Sequence, residues 1–151
     1  MSVRVLIADP DQRLLARYRD FLSHHGFEVT TVADGLACLA RLRSSPPDVL
    51  VLEADLPWGQ GEGILALMEE EPDVPKVPVI VLSAGTGPPG RGRALPGVAH
   101  FVKPLGAWEL AECIRRLRAD AGGRGAAAGS FRRTAAEGTH DGTERTTRVE
   151  L

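Results

Sequence analysis

Asp48-Val49-Leu50-Val51-Leu52-Glu53-Ala54-Asp55-Leu56-Pro57 is the stretch on which the fold reading turns. Four β-favouring apolar residues run straight into two carboxylates and a proline. A continuous apolar run this short reads as a strand buried on both faces, so helices should cover it above and below. Its C-terminal end delivers Glu53 to the rim of the sheet. In open parallel α/β sheets ligands and chemistry collect at that rim, where the strand order reverses. Taken alone, Glu53 and Asp55 also suit a solvated loop after a core strand, and the rest of the chain decides between the two.

Outward from that strand the chain alternates strand and helix. Val3 to Ala8 is a second buried strand, ending in Asp9-Pro10-Asp11. Proline suits the first turn of a helix, and acids there complement the positive end of its dipole. Leu14, Leu15, Tyr18, Phe21 and Leu22 recur at helical spacing, and Gly26 is the stop. Phe27 to Val32 is the next strand. Asp34-Gly35 opens a helix whose inner face is expected to carry Leu36, Leu39 and Ala40, and Pro46-Pro47 ends it. After Pro57 the sequence predicts a glycine-rich loop, Trp58 to Gly63, and then a helix through Ile64, Leu67 and Met68. That loop has neither Walker nor dinucleotide-fingerprint spacing. Prolines 72, 75 and 78 lead into Val77–Ala84, a buried strand that ends on the hydroxyl of Ser83. Residues 85–95 have little helical potential, because glycine costs a helix about 1 kcal/mol and interior proline about 3. Val98 to Val102 is a fifth strand, followed by Lys103-Pro104. A last helix begins near Ala107 with Leu110, Ala111, Ile114 and Leu117 inward.

The 151 residues fit one domain with a real core. A formal charge of −2 and a pI near 6.1 give no case for a nucleic-acid or anionic-membrane partner. Cys38 and Cys113 have no metal-type spacing and read as small apolar residues in a reduced compartment. No stretch of about 18 apolar residues is present to span a bilayer, and the opening apolar run is too short for a signal peptide. A soluble, cytoplasmic protein is expected. From Ala119 the composition changes: the last 33 residues hold seven alanines and six glycines, with Phe131, Val149 and Leu151 the only large apolar residues. The expected organisation is a domain over 1–118, then a disordered low-complexity tail over 119–151 with no covalent output domain.

Five strand–helix alternations imply a doubly wound parallel sheet. Asp9, Glu53, Ser83 and Lys103 end strands one, three, four and five, so they should gather on one rim. Two acids, a hydroxyl and an ammonium make a phosphoryl-transfer set. Acids hold Mg²⁺, which takes one or two carboxylates together with phosphate oxygens. A carboxylate can be the nucleophile that becomes an acyl phosphate, and hydroxyl and ammonium neutralise the phosphoryl oxygens.

At these residues the sequence resembles the receiver domain of bacterial two-component response regulators. The matching segments are Val5-Leu6-Ile7-Ala8-Asp9, Asp48 to Glu53 with Leu56-Pro57, Pro78 to Ala84, and Phe101-Val102-Lys103-Pro104, which together cover roughly residues 3–118. The resemblance implies a flavodoxin-like α/β fold with strand order 2-1-3-4-5, a signalling role without enzymatic turnover, histidine kinases as partners, and a cis peptide before Pro104. It also implies departures. The family's phosphate-accepting aspartate is here Glu53, and the second acid after strand one is Pro10. Asp11 is acidic but one position late, facing outward, so Mg²⁺ binding is expected to be weak or absent. The loop after Pro57 looks longer than the family's, the fourth helix is shortened or lost, and His100 stands where the family often has a switching tyrosine. Glutamate displaces the carboxylate by more than an ångström, on the order of 100-fold in an arranged reaction, and Glu53 can instead reach Lys103 as a permanent ion pair. The expected function is phosphorelay-type signalling by protein contact with phosphorylation lost or weak. The alternatives are a working Mg²⁺-dependent phosphoacceptor using Glu53 or Asp55, and a flavodoxin-like small-ligand or nucleotide binder. The sequence specifies neither the cognate kinase nor an oligomeric state.

Overall fold

A computed structural model of the chain describes residues 2–85 and 98–122. Its elements fall into two compact units, Met1–Val77 and Pro78–Leu151. The first unit holds β1 (Arg4–Ala8), α1 (Gln12–His24), β2 (Glu28–Val32), α2 (Gly35–Ser44), β3 (Val49–Glu53) and α3 (Gln60–Glu70). The second holds β4 (Val79–Ser83), β5 (Val98–Val102) and α4 (Ala107–Gly122). The five strands are parallel and ordered β2-β1-β3-β4-β5, the flavodoxin-like order.

In the first unit β1 is flanked on both sides. It pairs with β2 from Arg4↔Glu28 to Ala8↔Val32 and with β3 from Val5↔Val49 to Ala8↔Leu52. Every residue of β3 is buried, as a strand covered on both faces requires. α1 buries Leu15, Tyr18 and Leu22 and leaves Leu14 and Phe21 half-buried, a stripe at helical spacing. Full burial of each large aliphatic side chain contributes about 1.5–3 kcal/mol. In the second unit β4 and β5 pair from Val79↔Val98 to Ser83↔Val102. α4 buries Leu110, Ala111, Cys113, Ile114 and Leu117.

Three local expectations are corrected. α2 turns Cys38, Leu39 and Leu42 inward, whereas Leu36 and Ala40 are exposed. Asp34 caps the helix through the Ala37 amide (2.8 Å), and that cap fixes a phase in which Leu36 points out. The glycines after Pro57 are not all loop, because α3 begins at Gln60 and takes in Gly61 and Gly63. The Gly61 N–H donates to the Ala54 carbonyl (3.0 Å), and an added Cβ would sit 3.1 Å from the Glu53 carbonyl oxygen. Close backbone approach therefore outweighs the helix penalty of glycine there. Finally, α4 continues through Gly122, past the compositional boundary at 118, since Ala119 and Ala121 are strong helix formers. The expectations for most of 85–95 and for the tail beyond Gly122 lie outside the described residues. Among the described residues no helix is long and apolar enough to cross a membrane.

Candidate functional site

In the first unit, strand register builds the rim. Ala8 lies opposite Leu52, so Asp9, one residue beyond β1, and Glu53, the last residue of β3, are neighbours at one end of the sheet. Both are buried, at 2% and 5% exposure, and they are the only buried charged side chains among the described residues. Burying carboxylates is expensive unless donors meet them. Here each acid accepts from the backbone N–H two residues on: Asp9 Oδ1 from Asp11 (2.8 Å) and Glu53 Oε2 from Asp55 (2.9 Å). These short turns shape the two loops that leave β1 and β3.

Asp11 has a different task. It is the N-cap of α1, extended at φ −81° and ψ 103°, and its Oδ1 accepts from the amides of Arg13 (3.1 Å) and Leu14 (3.2 Å). That satisfies two of the donors a helix N-terminus leaves open. Asp55 is exposed. Beyond it, Trp58, Gly59 and Gln60 all have left-handed backbone, with φ of 63°, 90° and 59°. Two of the three carry side chains, a conformation that costs roughly 1–2 kcal/mol per residue. The Gly35 N–H donates to the Pro57 carbonyl (2.8 Å), tying this turn to the start of α2.

In the second unit Ser83 ends β4 and Lys103 follows β5 directly. The Lys103 N–H donates to the Ser83 carbonyl (2.8 Å), and the Lys103–Pro104 peptide is cis, as the resemblance implied. Register thus brings Asp9 beside Glu53 within one unit and Ser83 beside Lys103 within the other.

Asp9 and Glu53 are the two buried acids that this rim offers to a divalent metal, within the one or two carboxylates that Mg²⁺ takes. Among the described residues no group of three His, Cys, Asp or Glu side chains comes together. The Pro10 side chain carries no ligand atom, and Oδ1 of Asp11 is engaged in capping. Away from the rim, burial pushes the Cys38 thiol up to about 12, with the nearby Asp34 charge adding to the shift. Burial does the same to Cys113, to about 12, with Arg116 partly opposing it. Both thiols are free and buried, as small apolar packing groups are. His100 is half-buried on β5 opposite Val81, and its Nε2 is sealed from solvent with no hydrogen-bond partner among the described residues. Burial lowers its pKa.

The sequence reading located Asp9, Glu53, Ser83 and Lys103 at strand ends, where they are. It missed the capping role of Asp11 and both loop turns. The cap had a signal, an Asp directly before a helical pattern. The Glu53–Asp55 bond had none, because glutamate is not among the usual turn residues.

Residues 5–115 match the family model described as the response regulator receiver domain. The chain is similar to transcriptional regulatory protein PrrA of Mycobacterium leprae, 37% identical over 140 residues that cover 91% of this chain and 58% of that protein. It is also similar to protein RcaC of Microchaete diplosiphon, 35% identical over 118 residues, 76% of this chain and 18% of that one. The chain thus spans only part of each relative. Among solved structures it resembles chemotaxis response regulator CheY4 of Vibrio cholerae, at 24% identity and a TM-score of 0.69, covering 78% of this chain and 99% of that one. It also resembles the receiver domain of sensor histidine kinase PA1611 from Pseudomonas aeruginosa PAO1, which has a magnesium ion coordinated in its active site cleft (20% identity, TM-score 0.67, coverage 79% and 99%). At these identities the structural likeness speaks for the fold. With a family match across most of its length and the 2-1-3-4-5 sheet beneath it, the chain belongs to the response regulator receiver domains of two-component signalling.

Proposed function

We propose that this receiver signals by protein–protein contact and that its phosphorylation is lost or weak. In this reading Glu53 occupies the acceptor position, Asp9 and Asp11 are the remnant of the metal set, and Ser83 and Lys103 supply the hydroxyl and ammonium. The observation that supports the reading is how the acids are engaged: Glu53 Oε2 accepts from the Asp55 amide, and the Asp11 carboxylate caps α1. Neither arrangement leaves an aspartate-length nucleophile beside a complete Mg²⁺ site. Bound Mg²⁺ would supply charge neutralisation to a phosphoryl group, and its affinity here is proposed to be low.

Receiver domains interact with histidine kinases and other signalling proteins, and a histidine kinase or a related signalling protein is the proposed partner. The net charge of −2 argues against direct nucleic-acid contact by these 151 residues. The folding unit is assigned to residues 1–118 with the rest of α4, and the residues after Gly122 are proposed to be dispensable for folding.

The test is incubation with a small acyl-phosphate donor and Mg²⁺, read by intact mass. The unsubstituted protein is expected to gain no phosphoryl group. Pro10→Asp restores an acid after β1, and Glu53→Asp shortens the carboxylate to nucleophile length. Together they should allow labelling where neither does alone, because the two groups act as a unit. Labelling of the unsubstituted protein at the rate of the double variant would show a working phosphoacceptor.

A further inference from the structure

We infer that the Leu36–Trp58 face of the first unit is a docking surface for a basic, apolar-tipped segment of a partner protein. The inference rests on the reading of the chain as a contact-signalling receiver, and it does not depend on phosphorylation being lost.

Three large apolar side chains are exposed among the described residues, and two of them lie on backbones that touch: Leu36 (58% exposed) and Trp58 (53%). Gly35, next to Leu36, donates its N–H to the Pro57 carbonyl (2.8 Å), so the α2 start and the β3–α3 turn are held together. The indole lies close over Gly35, where an added Cβ would stand 3.1 Å from Trp58 Cε3. The three left-handed residues 58–60 hold the turn that presents Trp58. Residues with side chains rarely adopt that conformation, so the surrounding contacts must maintain it. An indole kept half in water by such a turn is the side-chain type that most often anchors an interface.

The charge around this knob selects the occupant. Residues 33–37 and 54–63 contain Asp34, Asp55 and Glu62 and no lysine or arginine. Asp55 and Glu62 are exposed, and Asp34 is half-buried. Carboxylates that neighbour Leu36 and Trp58 in sequence, with no cation among those residues, repel acidic partners and attract cationic ones. The exposed indole face also offers cation–π attraction to an arginine or lysine. The complementary segment therefore carries an apolar side chain flanked by basic residues.

The test places a photo-reactive benzoyl group at this face in the full chain, as Leu36→p-benzoylphenylalanine, expressed in the cells the protein comes from. After irradiation, the cross-linked peptides are sequenced. The expected product joins position 36 to another protein, at an apolar residue with lysine or arginine close by. Adding Asp55→Asn and Glu62→Gln, with the far-UV spectrum unchanged, should lower the yield about fivefold or more as electrostatic attraction is lost. Four results overturn the proposal: no cross-link, a cross-link within the chain or to a second copy, an acidic or neutral attached peptide, or a yield indifferent to the two neutralising changes. The phosphodonor experiment separates this idea from its parent, because ready labelling with the cross-link intact removes the degenerate reading and leaves the surface standing.

Discussion

Gly35→Ala and Gly63→Ala should move stability in opposite directions, although both place alanine in a helix. At Gly35 the new Cβ would overlap the Trp58 carbonyl oxygen and stand 3.2 Å from the carbonyl carbon, both backbone atoms that cannot swing aside. Relief requires the Pro57–Trp58 segment to retreat, which lengthens or breaks the 2.8 Å bond from Gly35 to Pro57. Overpacking costs about 1–3 kcal/mol, and loss of the bond about 0.5–1.5. The helix preference for alanine returns at most about 1 kcal/mol. The balance is a destabilisation of about 1–3 kcal/mol, or about 3–6 °C in Tm for each kcal/mol in a domain of this size. Gly63 lies inside α3 with nothing within 4 Å of its added Cβ, so only the helix term acts. That variant should gain about 0.5–1 kcal/mol. Urea unfolding followed by far-UV circular dichroism measures both, with equal m-values as the check on two-state behaviour. If Gly35→Ala unfolds at or above the urea concentration of the unsubstituted protein, the turn does not press on α2 as described.

Asp11→Ala should lower stability by about 1 kcal/mol while Asp11→Asn retains most of it; calorimetric Mg²⁺ titration of the Asn variant should match the unsubstituted protein, and a loss of affinity there would make Asp11 a ligand instead of a cap. For His100, burial holds the folded pKa below its ordinary 6.5, so the unfolded chain binds the proton more readily. Stability should therefore fall as pH drops below about 6.5 and level off once the folded form also protonates. His100→Gln should remove that part of the pH dependence, and unchanged pH profiles would refute the assignment. The two thiols, raised to about 12 by burial, should resist a disulfide-exchange reagent at pH 8 in the native state and both react in denaturant; rapid native labelling of either would contradict their burial.

The strands were the most legible part of the sequence, because β1, β3 and β4 are short unbroken apolar runs that only a two-sided environment accommodates. Their ends carry the candidate residues by connectivity alone, so the placement of Asp9, Glu53, Ser83 and Lys103 at strand ends followed from the alternation. What stayed hidden depends on contacts between segments distant in sequence. Leu36 read as an inward residue since it is apolar, but the Asp34 cap and the Pro57–Trp58 turn set the helix phase around a buried Gly35. Gly61 read as a loop residue since glycine disfavours helices, but its missing side chain admits the Glu53–Ala54 backbone. Nor does local pattern reveal that a carboxylate at the end of a strand will bond the amide two residues later.

The position of β1 bears on how the chain is made. Residues 4–8 leave the ribosome before their ladder partners, residues 28–32 and 49–52. At ordinary synthesis speeds of about 5–20 residues per second, the first strand waits on the order of 2–9 s for the second of those partners. During that interval Val5-Leu6-Ile7-Ala8 has apolar side chains and ladder groups with only β2 to receive them. An early pair of this kind is marginal on its own, so the nascent chain presents an apolar edge open to chaperones or to a neighbouring nascent copy. Slowing translation between Val32 and Val49 should prolong that exposure and lower soluble yield without altering any residue of the finished fold.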